Sequence, residues 1–87
     1  MTNLSNEMIE MIKTNGTVDT DENRYVLSFD YILDPQPVGY TIKRWSMADM
    51  ESFWGGDIDR DTLEMRAEIL LTCKDENEAC RLWHSIK

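Results

Sequence analysis

The stretch Ser46–Cys73 reads SMADMESFWGGDIDRDTLEMRAEILLTC, and its division into helix and strand decides the fold. Ser46 is placed to accept from a free backbone N–H of a following helix, and Asp49, three residues on, completes a carboxylate variant of the capping box. Met50, Phe53 and Trp54 recur at helical spacing, and Gly55-Gly56 stops the helix where left-handed backbone is needed. After an acidic loop, Thr62–Cys73 shows the strongest alternation in the chain. Leu63, Met65, Ala67, Ile69, Leu71 and Cys73 share one face; Thr62, Glu64, Arg66 and Glu68 share the other. The spacing therefore predicts a short helix over 47–54 and a strand over 62–73.

Upstream, Arg24–Leu33 alternates with Tyr25, Leu27, Phe29, Tyr31 and Leu33 on one side and Val26, Ser28, Asp30 and Ile32 on the other. Asp34-Pro35-Gln36-Pro37 is a turn, since each proline fixes φ and removes a ladder donor. Val38–Trp45 returns as the second strand of a hairpin. Residues 4–13 form an amphipathic helix with Leu4, Met8, Ile9, Met11 and Ile12 on its apolar side, stopped by Asn15-Gly16. The tract Thr17–Asn23 reads as a polar, acidic connector. Downstream, Asp75 caps a last helix, Glu78 closes its box, and Ala79, Leu82, Trp83 and Ile86 form the buried stripe.

These readings give one α+β domain over 1–87, with an N-terminal helix (1–16) and a C-terminal helix (74–87) flanking a ββαβ core at 24–73. The expected architecture is a three-stranded antiparallel sheet with helices on one face, in the order α-β-β-α-β-α. Three strands leave two edges, so pairing across an edge in a homodimer is open. So is dimerisation through a second sheet face built from Val26, Ile32, Thr41, Trp45, Leu70 and Thr72.

The chain has 87 residues and a formal net charge of −8. That field repels nucleic acid and anionic membrane and attracts basic surfaces. Cys73 and Cys80 are too few for a disulfide framework, and no basic, apolar leader opens the chain. The longest aliphatic run, Ile69-Leu70-Leu71, is far too short to span a bilayer. The expected location is the cytosol.

Catalytic equipment is sparse. There is no phosphate-cradling glycine loop, no Ser/His/Asp order and no CxxC pair, so an enzyme is not expected. Asp57-x-Asp59-x-Asp61 opens like a calcium loop, but Thr62 stands where the sharp turn needs glycine. Cys80 and His84 lie four apart on the last helix and with Cys73 could begin a zinc site, yet a fourth ligand is missing. Neither a metal nor a cofactor is expected. Trp83 fits the core, whereas Trp45 and Trp54 bracket the short helix, either sealing the core or serving as interface anchors.

The run Ser46-Met47-Ala48-Asp49-Met50-Glu51-Ser52-Phe53-Trp54-Gly55, followed by Asp61-Thr62-Leu63-Glu64-Met65-Arg66, resembles the small dimeric uracil-DNA glycosylase inhibitors of some tailed phages. The likeness extends over about residues 25–71. The opening Met1-Thr2-Asn3-Leu4-Ser5 is similar to the start of a different, unrelated glycosylase inhibitor. The first resemblance implies a three-stranded sheet with one helix and a homodimer. It also implies an apolar pocket that captures the leucine the enzyme wedges into the minor groove, with carboxylates standing in for phosphates. Carried over by position, Met50 takes the place of the pocket aromatic, Glu51 the adjacent acid, and Trp54 the later aromatic, while Asp49 matches directly. Met50 departs in type, Tyr40 falls near a family acid, the loop after the helix is one residue longer, and the terminal helices have no counterpart.

The expected function is non-catalytic, phage-type inhibition of host uracil-DNA glycosylase by an acidic DNA mimic. The expected partner-binding residues are Asp49, Met50, Glu51, Trp54, Asp57 and Asp59. Two alternatives stay open. One is an acidic decoy of another host DNA-binding protein, such as a CRISPR effector, a restriction enzyme or a nucleoid protein. The other is a phage interaction domain unrelated to DNA grooves.

Overall fold

The computed structural model describes residues 4–31 and 36–86. Its elements run α1 (Asn6–Asn15), β1 (Thr17–Asp19), β2 (Asn23–Asp30), β3 (Gly39–Ser46), α2 (Met47–Trp54), α3 (Arg60–Met65), β4 (Glu68–Cys73) and α4 (Glu76–Ile86). The fold is α+β, with four strands in one antiparallel sheet ordered β1-β2-β3-β4 and four helices around it. The expected three-stranded sheet thus gains a strand and a helix. No helix among the described residues is long and apolar enough to cross a membrane.

The extra strand is β1, which lies in the tract read as a connector. Val18, its only apolar residue, is buried and pairs with Tyr25, flanked by Thr17↔Val26 and Asp19↔Arg24. One buried side chain plus backbone pairing suffices here, so the composition of the tract hides the strand. The β1–β2 turn is closed by Thr20, whose N–H donates to the Asn23 carbonyl at 2.8 Å and whose Oγ1 accepts from the Asn23 N–H at 3.1 Å.

The extra helix is α3, and it breaks the long strand expected over 62–73. Asp59 caps it, its carboxylate accepting from the Thr62 N–H at 2.8 Å. Helical winding sends Leu63 inward and Met65 outward, so Leu63 is 6% exposed and Met65 86%. A β-bulge then shifts the alternation further. Ile42 pairs with Leu71 and Lys43 with Ile69, leaving Leu70 as the additional residue on β4. Leu70, Leu71 and Cys73 pack on the core, while Ile69 faces out.

The central hairpin holds full register from Asn23↔Ser46 to Asp30↔Gly39. Of its expected turn and strand end, Ile32, Leu33, Asp34 and Pro35 lie outside the described residues. Gly39 is required by close approach: a Cβ there would sit 2.5 Å from the Cys73 carbonyl oxygen. Helix α1 is capped by Ser5, which accepts from the Met8 N–H at 3.1 Å. It ends at Gly16, whose positive φ of 81° suits glycine and whose N–H returns to the Ile12 carbonyl at 2.8 Å.

Helices cover both faces of the sheet, not one. Tyr25, Leu27, Tyr40 and Ile42 meet α1 through Ile12 and α4 through Ala79 and Leu82. The alternate residues Val26 and Trp45 point the other way and pack with Met50, Phe53 and Leu63 of α2 and α3. Capping by α2 and α3 removes Val26 and Trp45 from the bare second face expected for dimerisation. The side chain of Ile86 lies outside what the structure describes.

Candidate functional site

The expected partner-binding residues all fall on α2 and the loop that leads into α3, and the structure gives them different tasks. Ser46 caps α2 by accepting from the Asp49 N–H at 3.1 Å. The Met47 N–H donates to the Glu22 carbonyl at 2.7 Å, which fastens α2 to the β1–β2 turn. At the other end the Gly55 N–H returns to the Glu51 carbonyl, and Gly56 adopts φ 84°, so the double-glycine stop is realised.

Met50 is 5% exposed and sits between Trp45 and Leu63 in the second core cluster. Its side chain therefore faces this core cluster and not the solvent. Trp45 is likewise core: its indole N–H donates to the Leu63 carbonyl at 2.7 Å and locks β3 to α3. Asp49 is tied to Arg66 at 2.9 Å, joining the start of α2 to the end of α3. Asp59 serves as the α3 cap. Hydrogen bonds from Thr62 hold its carboxyl below the usual range.

What remains exposed without such a task is Trp54, Glu51 and Asp57. Trp54 is 56% exposed, and Glu51 and Asp57 are exposed carboxylates that form no ion pair among the described residues. The Arg24 guanidinium lies 5.0 Å from the Trp54 ring centroid. Asp19 grips one edge of that guanidinium, its two oxygens accepting from Nε at 2.7 Å and from Nη2 at 2.9 Å. The hydrogen bonds between them, with the opposite charges adding, hold the Asp19 carboxyl below its ordinary range and raise Arg24. The result is an aromatic plate, stiffened by a bidentate ion pair and rimmed by free carboxylates. Sequence reading missed Asp19 and Arg24. The signal was there in the opposite charges that flank the tight Thr20–Asn23 turn.

A second polar cluster lies on the opposite side of the sheet. Glu78 accepts from Lys13 Nζ at 3.2 Å, the Tyr40 hydroxyl at 3.1 Å and the Cys73 thiol at 3.4 Å. Donation from Lys13 holds its carboxyl below the ordinary range, with Cys73 and Tyr40 adding to the effect. Burial first, then the neighbouring Cys73 and Glu78, pushes the Tyr40 phenol well above its usual value. Glu78 therefore does not close a capping box. Asp75 alone caps α4, accepting from the Asn77 and Glu78 N–H groups at 3.0 and 3.2 Å.

Among the described residues no three His, Cys, Asp or Glu side chains are grouped to hold a metal, and no ligand-sized cavity opens. The Cys80 thiol is directed to the Pro37 carbonyl at 3.4 Å, and His84 is exposed with its ring edge-on to Trp83 at 5.0 Å. The chain matches no known family model, and neither a curated protein nor a solved structure is significantly similar to it.

Proposed function

We propose that this protein acts by binding: it is a non-catalytic inhibitor that presents the α2–α3 ledge to the basic, nucleic-acid-binding groove of a host enzyme. The observation that carries the reading is Trp54, a large aromatic held 56% exposed at the end of α2 among unpaired carboxylates. A buried aromatic anchor supplies binding energy, whereas exposed ion pairs are each worth about 0–1 kcal/mol. The surrounding negative charge steers a basic partner and raises the association rate. Uracil-DNA glycosylase is the first candidate partner, on the strength of the sequence resemblance around Ser46–Gly55. With Met50 in the core, the anchor assigned here is the Trp54–Arg24 plate instead of a pocket of Met50 and Trp54.

The test is uracil excision by purified bacterial uracil-DNA glycosylase on a uracil-containing oligonucleotide, with the full chain titrated in. Stoichiometric inhibition that extra enzyme relieves and excess DNA does not is the expected result. Full activity at micromolar inhibitor would overturn the glycosylase assignment.

A further inference from the structure

Granted the reading of the α2–α3 ledge as the binding surface, on which this rests, we infer that the Trp54 plate is a guanidinium-binding site. The group a partner delivers there is an arginine side chain, stacked on the ring face that Arg24 leaves open. This departs from the leucine capture that the sequence resemblance implies.

The ring already shows what it takes. Arg24 holds its guanidinium over Trp54, 5.0 Å from the ring centroid, and tryptophan is the side chain whose face attracts cations most strongly. An indole has two faces, and with Trp54 56% exposed the second meets solvent. An unpaired Arg24 would repel an incoming cation. Here it does not, because Asp19 accepts from both Nε and Nη2 and cancels the charge.

Carboxylates stand ready on the outer side. Glu51 lies three residues before Trp54 on α2, which puts the two side chains on neighbouring positions of the helix surface. It is exposed and has no ion-pair partner among the described residues. Asp57 follows in the loop, and its N–H donates to the Ser52 carbonyl at 2.8 Å, so the loop folds back along α2.

The surface chooses among side chains. An aliphatic group needs a concavity to leave water, and no ligand-sized cavity opens among the described residues. A lysine ammonium is a strongly hydrated point charge that cannot stack. A guanidinium is planar and weakly hydrated, and it can lie flat on the indole while its edge N–H groups reach a carboxylate in two parallel hydrogen bonds. Asp19, Arg24 and Trp54 already form that arrangement on the inner face. Glu51, an arginine from the partner and Trp54 would repeat it on the outer one.

The test follows the Trp54 indole N–H of the isotope-labelled full chain by NMR. Blocked Gly-Arg-Gly, Gly-Lys-Gly and Gly-Leu-Gly peptides are titrated in separately at constant ionic strength. The arginine peptide is expected to shift the resonance saturably at millimolar concentration and to bind about fivefold more tightly than the lysine peptide. The leucine peptide should leave it in place, and the buried Trp45 indole should not respond to any of them. Trp54→Leu keeps an apolar group at an exposed position and should leave circular dichroism unchanged. It should also abolish the accompanying shifts of the Glu51 and Gly55 amides. Glu51→Gln should weaken arginine binding about threefold, and less at high salt. Equal affinity for arginine and lysine, a leucine peptide that shifts the indole as far, or a Trp54→Leu chain that still responds would overturn the site. Arginine-selective binding without inhibition of uracil excision upholds the site and removes only the glycosylase as its partner. Inhibition with no arginine-selective shift overturns the site and leaves the inhibitor reading standing.

Discussion

Two groups of carboxylates, one on each side of the sheet, are used in opposite ways. On the α1/α4 side Glu78 collects three donors from three different elements, Lys13, Tyr40 and Cys73, and is fully engaged in holding the fold. On the α2/α3 side Glu51 and Asp57 have no ion-pair partner among the described residues, while Asp49 and Asp59 hold the two helices that flank them. An acidic composition is therefore not one property. Part of the charge builds the scaffold, and part is left facing solvent where only an external cation can answer it.

Met50→Ala should strike this contrast hardest. It empties a core site and is expected to cost about 2–4 kcal/mol of folding stability in chemical denaturation. If the loss stays below about 1 kcal/mol, Met50 is not core. Trp54→Ala should do the reverse, weakening partner affinity by about 2 kcal/mol in calorimetry. Its folding stability should fall only by the about 0.5–1 kcal/mol of the lost guanidinium stack. Equal losses of affinity from Trp54→Ala and Asp57→Asn would show that no anchor exists there.

Glu78→Gln should cost about 1–2 kcal/mol, since it removes a charged acceptor from three donors. The same residue sets an acid limit. Its folded pKa is depressed, so its contribution is complete above the unfolded carboxyl range and is lost as pH falls through the folded value. Denaturation measured across the acid range should show a shallower decline for Glu78→Gln than for wild type. A parallel decline would mean that other carboxylates govern acid unfolding. Smallest of all, Asp57→Asn should leave folding unchanged and slow partner association less than about twofold, an effect that disappears in high salt.

Most element starts and stops were legible because they rest on local chemistry. Ser46 and Asp75 cap their helices, and Gly16 and Gly56 take positive φ after α1 and α2, whereas the Ser5 cap falls inside the stretch read as helix. The misread parts depend on tertiary context. Strand β1 exists because the neighbouring β2 offers it a ladder and a place for Val18. Helix α3 shares with a strand the pattern Leu63-x-Met65, and only the Asp59 cap separates the two. At the candidate site, helical spacing marked Met50 and Trp54 as apolar neighbours. Spacing alone does not say which of them faces the sheet.

Tryptophan placement gives the molecule its own optical labels. Trp45, 6% exposed with its indole N–H bonded to a backbone carbonyl, is shielded from dissolved quenchers. Trp54 is open, and the carboxylates beside it enrich cations and exclude anions. In a Trp83→Phe background, which removes the half-buried third indole, caesium should therefore dim the red-shifted, Trp54 part of the emission more than iodide does. Occupation of the ledge would remove that difference while leaving the blue component untouched.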